Sequence, residues 1–431
     1  MAVSLPFLTS YDPSATSEGT LDPLGLYQIA DQLAVQLVPG VRERMQRIRF
    51  LTAIAVGAVV TEGLEDNPEV RDASPYLVWE WLVVEALMRT KGDDPGIWGI
   101  PGTLVARRAL NQHGYLDARS YLKTPRIFGF HGVYKRLAVR LRLVDVHLNP
   151  GLNTEMLVDA WARSIGLDGI KEAKSLLRSW TVEVVRCLRE KPPRTRPNWT
   201  NNNWNTLAEA FAPYLCRSHE RRYLRKLLLD NREQRLGVLP TLWQLVSESK
   251  DDLTEETLHD LLETHEPSCA SLLHAIRSYE AFARALQDAF DLLRAVATTL
   301  DSRGFEITNI ATDSDFQRCV ENLHQRFATA HRALSEVTIT NLSLQNLFDS
   351  RFGAFAERLD ASACALVLCT HHEKIQRGKS AAGKRPWFDR LSDRRIYLRH
   401  AYREKRRDIQ PEHYVHVYRS RPIRNFFYDL T

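Results

Sequence analysis

The chain has 431 residues, 44% of them hydrophobic and 26% charged, with 20 Gly and 19 Pro. That balance excludes collagen-like, low-complexity and wholly disordered chains, and the length provides for two to four domains at roughly 100–200 residues each. The 58 Lys+Arg and 53 Asp+Glu give a net charge of +5, yet residues 371–431 hold 16 Lys+Arg against 7 Asp+Glu, so the positive excess lies wholly at one end.

Residues 1–20 are rich in turn formers and predict irregular chain. Pro23 opens a helical segment to about Val38, where Pro39-Gly40 stops it, and a second helix covers about Arg42–Thr61. Its Phe50–Val60 stretch is nearly all apolar, but a bilayer span needs ~18–20 such residues, so this is a core helix. The first basic residue is Arg42, which argues against a cationic leader, and six scattered cysteines without a C-x-x-C pair read as reduced, buried small hydrophobes. The expectation is a cytoplasmic protein with no membrane contact. Ser74-Pro75 is an N-cap and first-turn pair for a helix over Tyr76–Arg89, apolar nearly all round and central to an N-terminal helical domain, 1–102.

Helices are expected at Thr103–Gln112 and around Ser120. Val133, Leu137, Leu141 and Val144 then fall at i, i+4, i+8 and i+11, one buried helix stripe, with Lys135, Arg136, Arg140 and Arg142 mainly off it. Val144–Leu148 alternates like a short strand, Asn149-Pro150-Gly151 is a turn, and Thr154–Ile165 resumes as helix. This order of helix, strand, turn and helix resembles a winged-helix domain at about 103–165, inside a module of 103–190. The resemblance implies a recognition helix at 133–142 carrying Lys135, Arg136 and Arg140 to phosphates or bases, with His147 and Asn149 in the wing. A basic amphipathic helix with solvated charges is the alternative.

Lys191-Pro192-Pro193-Arg194-Thr195-Arg196-Pro197, continuing through Asn203, reads as a linker, 191–203. A long-helix domain, 204–370, follows. A helix over Pro213–Leu229 carries Arg217, His219, Arg221, Arg222, Arg225 and Lys226, with one face basic through the i, i+4 pairs Arg221/Arg225 and Arg222/Lys226. A solvated face is the default reading and an extension of a nucleic-acid track the less favoured one. Cys269, Leu272, Ile276, Tyr279, Ala283, Leu286, Phe290, Leu293, Ala297 and Leu300 make a heptad-like seam, and Phe316–Val337 a second. Two long antiparallel helices in one domain are expected, with a coiled-coil dimer as the less favoured reading.

In the basic end, 371–431, Arg395–Tyr402 and His413–Tyr418 alternate as strands around a loop at Glu404–Pro411, predicting a hairpin. Lys379, Lys384, Arg385, Arg394, Arg395, Arg399, Arg406 and Arg407, interleaved with Trp387, Tyr397 and Tyr402, have the chemistry of a nucleic-acid surface: guanidinium groups for phosphates and rings for bases. An acid-complementary protein dock is the alternative. Catalytic signals fail by contrast. Arg377-Gly378-Lys379-Ser380 ends like a phosphate loop, but Glu373 stands where its first glycine is needed. Cys364 and Cys369 are five apart, so on a helix they do not share a face with which to hold zinc. Asp389, Asp393 and Lys384 are the nearest cluster for a divergent metal-dependent nuclease.

The Gly378-Lys379 and Gly383–Arg390 segments, with this organisation, resemble the large non-enzymatic proteins of bacterial defence and DNA-processing operons. That resemblance implies a non-catalytic accessory subunit, with no cofactor and no metal, that contacts DNA and partner proteins of the same operon, as in anti-phage defence. The fold class expected is mainly α and multi-domain, with a winged-helix module and a small basic C-terminal β-hairpin region. A protein–protein adaptor without nucleic acid is the alternative from another class.

Overall fold

Helices dominate the computed structural model, which describes residues 22–64, 73–91, 99–122, 125–196, 198–230, 236–249, 253–299, 304–337, 342–379, 384–409 and 413–431. The fold is mainly α with one three-stranded sheet among the described residues, and no helix among them is long and apolar enough to cross a membrane. The chain divides into two units: one takes the chain up to Leu33 with Glu255–Val417, the other Ala34–Thr254 with Tyr418–Thr431. The division therefore does not follow consecutive sequence.

After α1 (Tyr27–Leu37), the 34–254 unit contains α2 (Phe50–Thr61), α3 (Pro75–Lys91), α4 (Thr103–His113), α5 (Pro125–Phe128), α6 (Phe130–Arg140), α7 (Thr154–Ser164), α8 (Ile170–Arg189), α9 (Asn201–Phe211), α10 (Ser218–Leu229) and α11 (Leu239–Glu248). Both α2 and α3 are apolar on nearly every face and lie innermost. Gly57 permits their close approach: a Cβ there would stand 2.4 Å from the Trp79 ring, whose Nε1 donates to Ala53 O at 2.9 Å. Trp79, Trp180, Trp161 and Phe211 then form one aromatic cluster, with Trp161 stacked on Phe211 at 5.6 Å and Phe211 edge-on to Trp79. Such rings bury large apolar area and add roughly 0.5–1.5 kcal/mol per well-oriented pair.

Three expectations change in this unit. The second helix begins at Phe50, not Arg42, because the Gln46 and Arg47 N–H groups both donate to Tyr134 Oη at 2.8 Å instead of entering a helical ladder. The 191–203 segment does not separate the units. Thr195 is buried, its N–H donates to Leu116 O at 2.9 Å, its hydroxyl takes the Leu116 N–H at 2.7 Å and reaches Glu85, and α9 already starts at Asn201. Around Ser120 there is a turn rather than a helix, capped by Asp117 Oδ1, which accepts from the Arg119 and Ser120 N–H groups.

The 255–417 unit contains α12 (Glu255–His265), α13 (Ala270–Thr299), α14 (Ser314–Val320), α15 (Leu323–Val337), α16 (Leu342–Phe352) and α17 (Ala361–Arg377), while α18 (Ser420–Leu430) belongs to the other unit. The first seam is α13, but this helix is buried nearly all round and not along one stripe, because Leu273, Ala275, Phe282 and Leu292 are apolar off the seam. Phe282 is met by Phe327, Phe348, Phe352 and Phe355, each near edge-on. The second seam is two helices, α14 and α15, both packed on α13.

The sheet places β3 (Arg395–Leu398) between β1 (Phe305–Glu306) and β2 (Phe388–Arg390), both antiparallel to it, with Phe305 opposite Ile396 and Phe388 opposite Leu398. A hairpin thus exists, but 388–390 is its other arm. Residues 413–417 form no strand because carboxylates take their N–H groups: Glu256 accepts from Tyr414 N, and Glu280 Oε2 from Val415 N at 2.6 Å. Of the expected Glu404–Pro411 loop, Gln410 and Pro411 lie outside the described residues.

Candidate nucleic-acid interface

The stripe expected along α6 is buried: Val133 and Leu137 sit in the core with Phe130, His131, Tyr134 and Ala138. Its amino end is anchored by Glu80 of α3, a buried carboxylate whose Oε2 accepts the His131 N–H at 3.0 Å and faces His131 Nδ1 at 2.9 Å. The negative charge satisfies a helix N–H that has no intrahelical partner and complements the helix dipole. With that face inward, Arg136 and Arg140 are exposed and Lys135 is half-exposed.

Past α6 the chain turns sharply at Arg142, whose φ of +54° is left-handed and costly for a residue with a Cβ. Hydrogen bonds hold it there. Arg142 O accepts Asn153 N at 2.9 Å, Leu141 O accepts Asn153 Nδ2 at 2.7 Å, and Leu143 O accepts Gly151 N at 3.1 Å. Gly151 is required by contact: a Cβ would lie 2.4 Å from Arg142 O. The expected 144–148 strand reduces to one antiparallel bridge, Val144 to Pro150, because Asp145 Oδ1 draws the His147 and Asn149 N–H groups into a tight loop.

The basic 213–229 segment is a short 3-10 turn at Pro213–Leu215 followed by α10, with Glu220, Leu224 and Leu228 facing the core. Arg221 is tied to Thr431 O and Cys216 O, and Arg225 lies over the Trp243 ring. Lys226 instead lines a cleft of about 330 Å³ together with Arg140 and Arg142. Leu152, Met156 and Tyr223 add apolar wall, and Asp230 a carboxylate. Burial raises the Tyr223 phenol pKa, so it is a neutral ring there. The sequence points to Arg140 as a site residue and to Lys226 only as a less favoured extension of a nucleic-acid track, and not to Arg142 or Tyr223. Arg142 and Lys226 stood in basic runs and Tyr223 carried no signal, whereas Met156, expected to face inward with Leu157 and Trp161 on its helix, is instead 56% exposed.

The basic end is different. Trp387 is a core residue: it stacks on Tyr402 at 4.7 Å and 3°, and the Arg294 guanidinium lies 4.8 Å from its centroid, so it offers no platform for a base. Arg399 is likewise buried, only 4% exposed, with its guanidinium directed to Pro386 O. Arg406 is held by Asp313 at 2.7 Å and by Asp315, Arg407 by Glu404, and Arg385 by Asp389 at 3.2 Å. Lys379 is half-buried and donates to Asp22 O, and burial lowers its pKa to about 8. Lys384 is half-exposed, and Arg394 and Arg395 are exposed at the β2–β3 turn. Charge here largely serves the fold of its own unit.

His371 and His372, on the same helix as Cys364 and Cys369, are both hydrogen-bonded to backbone groups. His372 Nδ1 meets Pro23 O at 2.9 Å and its Nε2 accepts Trp387 N–H at 3.0 Å; His371 Nε2 meets Leu24 O at 2.8 Å. Among the described residues no three His, Cys, Asp or Glu side chains are grouped to hold a metal ion. Compared with protein-family models, curated proteins and solved structures, the chain matches none.

Proposed function

We propose that this protein is a non-catalytic DNA-binding component of a multiprotein system, an accessory subunit such as those of anti-phage defence, and that it contacts DNA through the 34–254 unit. One observation carries the reading: two basic segments far apart in sequence meet at one cleft, Arg140 and Arg142 from one and Lys226 from the other. Convergent cations with exposed neighbours such as Arg136 and Arg222 suit a phosphate backbone. The winged-helix reading of 103–165 is part of the same proposal, supported by the sequence of α6, the Val144–Pro150 bridge and α7. The basic end supports it less, since Trp387 and Arg399 are buried there and Arg385, Arg406 and Arg407 pair with carboxylates of their own unit.

The test is binding of a labelled DNA across a salt series by the full chain. Affinity should fall linearly on a log–log scale, with a slope near 0.9 per phosphate contacted. No binding at low salt, with retention of an acidic partner protein, favours the adaptor reading instead. Truncation at residue 370 is unsuitable, because it removes Trp387 and α18, which are built into the two units.

A further inference from the structure

We infer that the cleft receives one unpaired nucleotide of a single strand, a narrowing that rests on the DNA-binding reading above. Cations alone would suit the phosphates of an intact duplex, but this cleft is not cationic alone. Leu152 is 79% exposed and Met156 56%, apolar side chains left open to solvent beside Arg142 and Lys226. Tyr223 stands half-buried in the same wall. Duplex backbone has no apolar surface to cover such groups, whereas an unstacked base brings a flat π-face that packs on an aromatic ring and on aliphatic carbon. The arrangement is two-part: Tyr223, Met156 and Leu152 for the base, Arg142 and Lys226 for the adjoining phosphate. The left-handed Arg142 turn, fixed through Asn153 and Gly151, sets where that side chain leaves the backbone beside the cleft.

The experiment compares a labelled single strand of mixed sequence with the same strand annealed to its complement, using the full chain, wild type and Tyr223→Leu. Leu152→Ser, which removes apolar surface without adding charge, gives an independent second variant at a position outside the core. The expected result is single-strand binding about tenfold tighter than duplex binding, with both variants losing most of that preference. Equal affinity for both forms, or a preference unmoved in both variants, overturns the inference and leaves the DNA-binding reading standing. Binding of neither form overturns that reading as well.

Discussion

Arg49 and Glu220 form a two-point ion pair inside the 34–254 unit, Nε to Oε1 at 3.2 Å and Nη2 to Oε2 at 3.1 Å, with both side chains almost wholly buried. The third guanidinium nitrogen donates to Ala212 O at 2.5 Å, and the Glu220 N–H donates to Ser164 Oγ at 3.0 Å. One contact set therefore joins the start of α2, the end of α7 and the start of α10, the helix that also carries Tyr223 and Lys226 to the cleft. Glu220→Ala leaves a buried guanidinium uncompensated and should cost about 3–5 kcal/mol in denaturant unfolding. Arg49→Met with Glu220→Leu should be less destabilised than either single change, because no charge is stranded.

Gly151→Ala tests the Arg142 turn. Its Cβ would meet Arg142 O at 2.4 Å, so the turn must shift, at a cost of roughly 1–3 kcal/mol. Nucleic-acid affinity should fall by more than the stability loss explains, since Arg142 is displaced. Affinity unchanged in a folded variant would separate the turn from binding.

Trp387→Ala should lower stability by about 3–5 kcal/mol, as expected for a large core ring, in thermal or denaturant unfolding. A base-stacking surface residue would instead weaken binding while leaving stability nearly untouched.

The two units should respond to acid in opposite directions. In the 255–417 unit, burial lowers the pKa of His371 to about 4 and of His372 and His259 to about 3. These lie below the unfolded value near 6.5, so their stabilising contribution is full above that pH and is lost as pH falls toward 4 and 3, about 2 kcal/mol each by pH 5. In the 34–254 unit, burial raises the pKa of Asp429 to about 6 despite its Arg47 partner. Its contribution is full below ~3.9 and lost as pH rises through 6, so acidification from pH 7 to 5 restores about 1 kcal/mol. Hydrogen exchange at the two pH values should show protection falling in 255–299 and rising in 46–61, and Asp429→Asn should flatten the second response.

Much of the helical framework was legible from apolar spacing. The start of α3 at Pro75 and the buried α6 stripe follow from local rules, because a proline at a first turn and a 3.6-residue period act within one element. What escaped depends on partners distant in sequence. Residues 413–417 alternate like a strand, but Glu256 and Glu280 cap their N–H groups. Trp387 and Arg399 look like a nucleic-acid surface in sequence because aromatic and guanidinium groups also build cores when Tyr402 and Arg294 stack on them. The cleft was the least legible part: Arg140 and Lys226 meet only once α6 and α10 are packed in one unit, and neither basic run contains that information.

The most direct test of the central claim compares two charge reversals in the full chain: Arg142→Glu/Lys226→Glu in the cleft and Arg406→Glu/Arg407→Glu in the basic end. The cleft pair should abolish most DNA affinity and reduce the salt slope by about two phosphate contacts, while the basic-end pair leaves the slope within one contact of wild type. The reverse pattern, binding lost at 406–407 and kept at 142 and 226, would contradict the account.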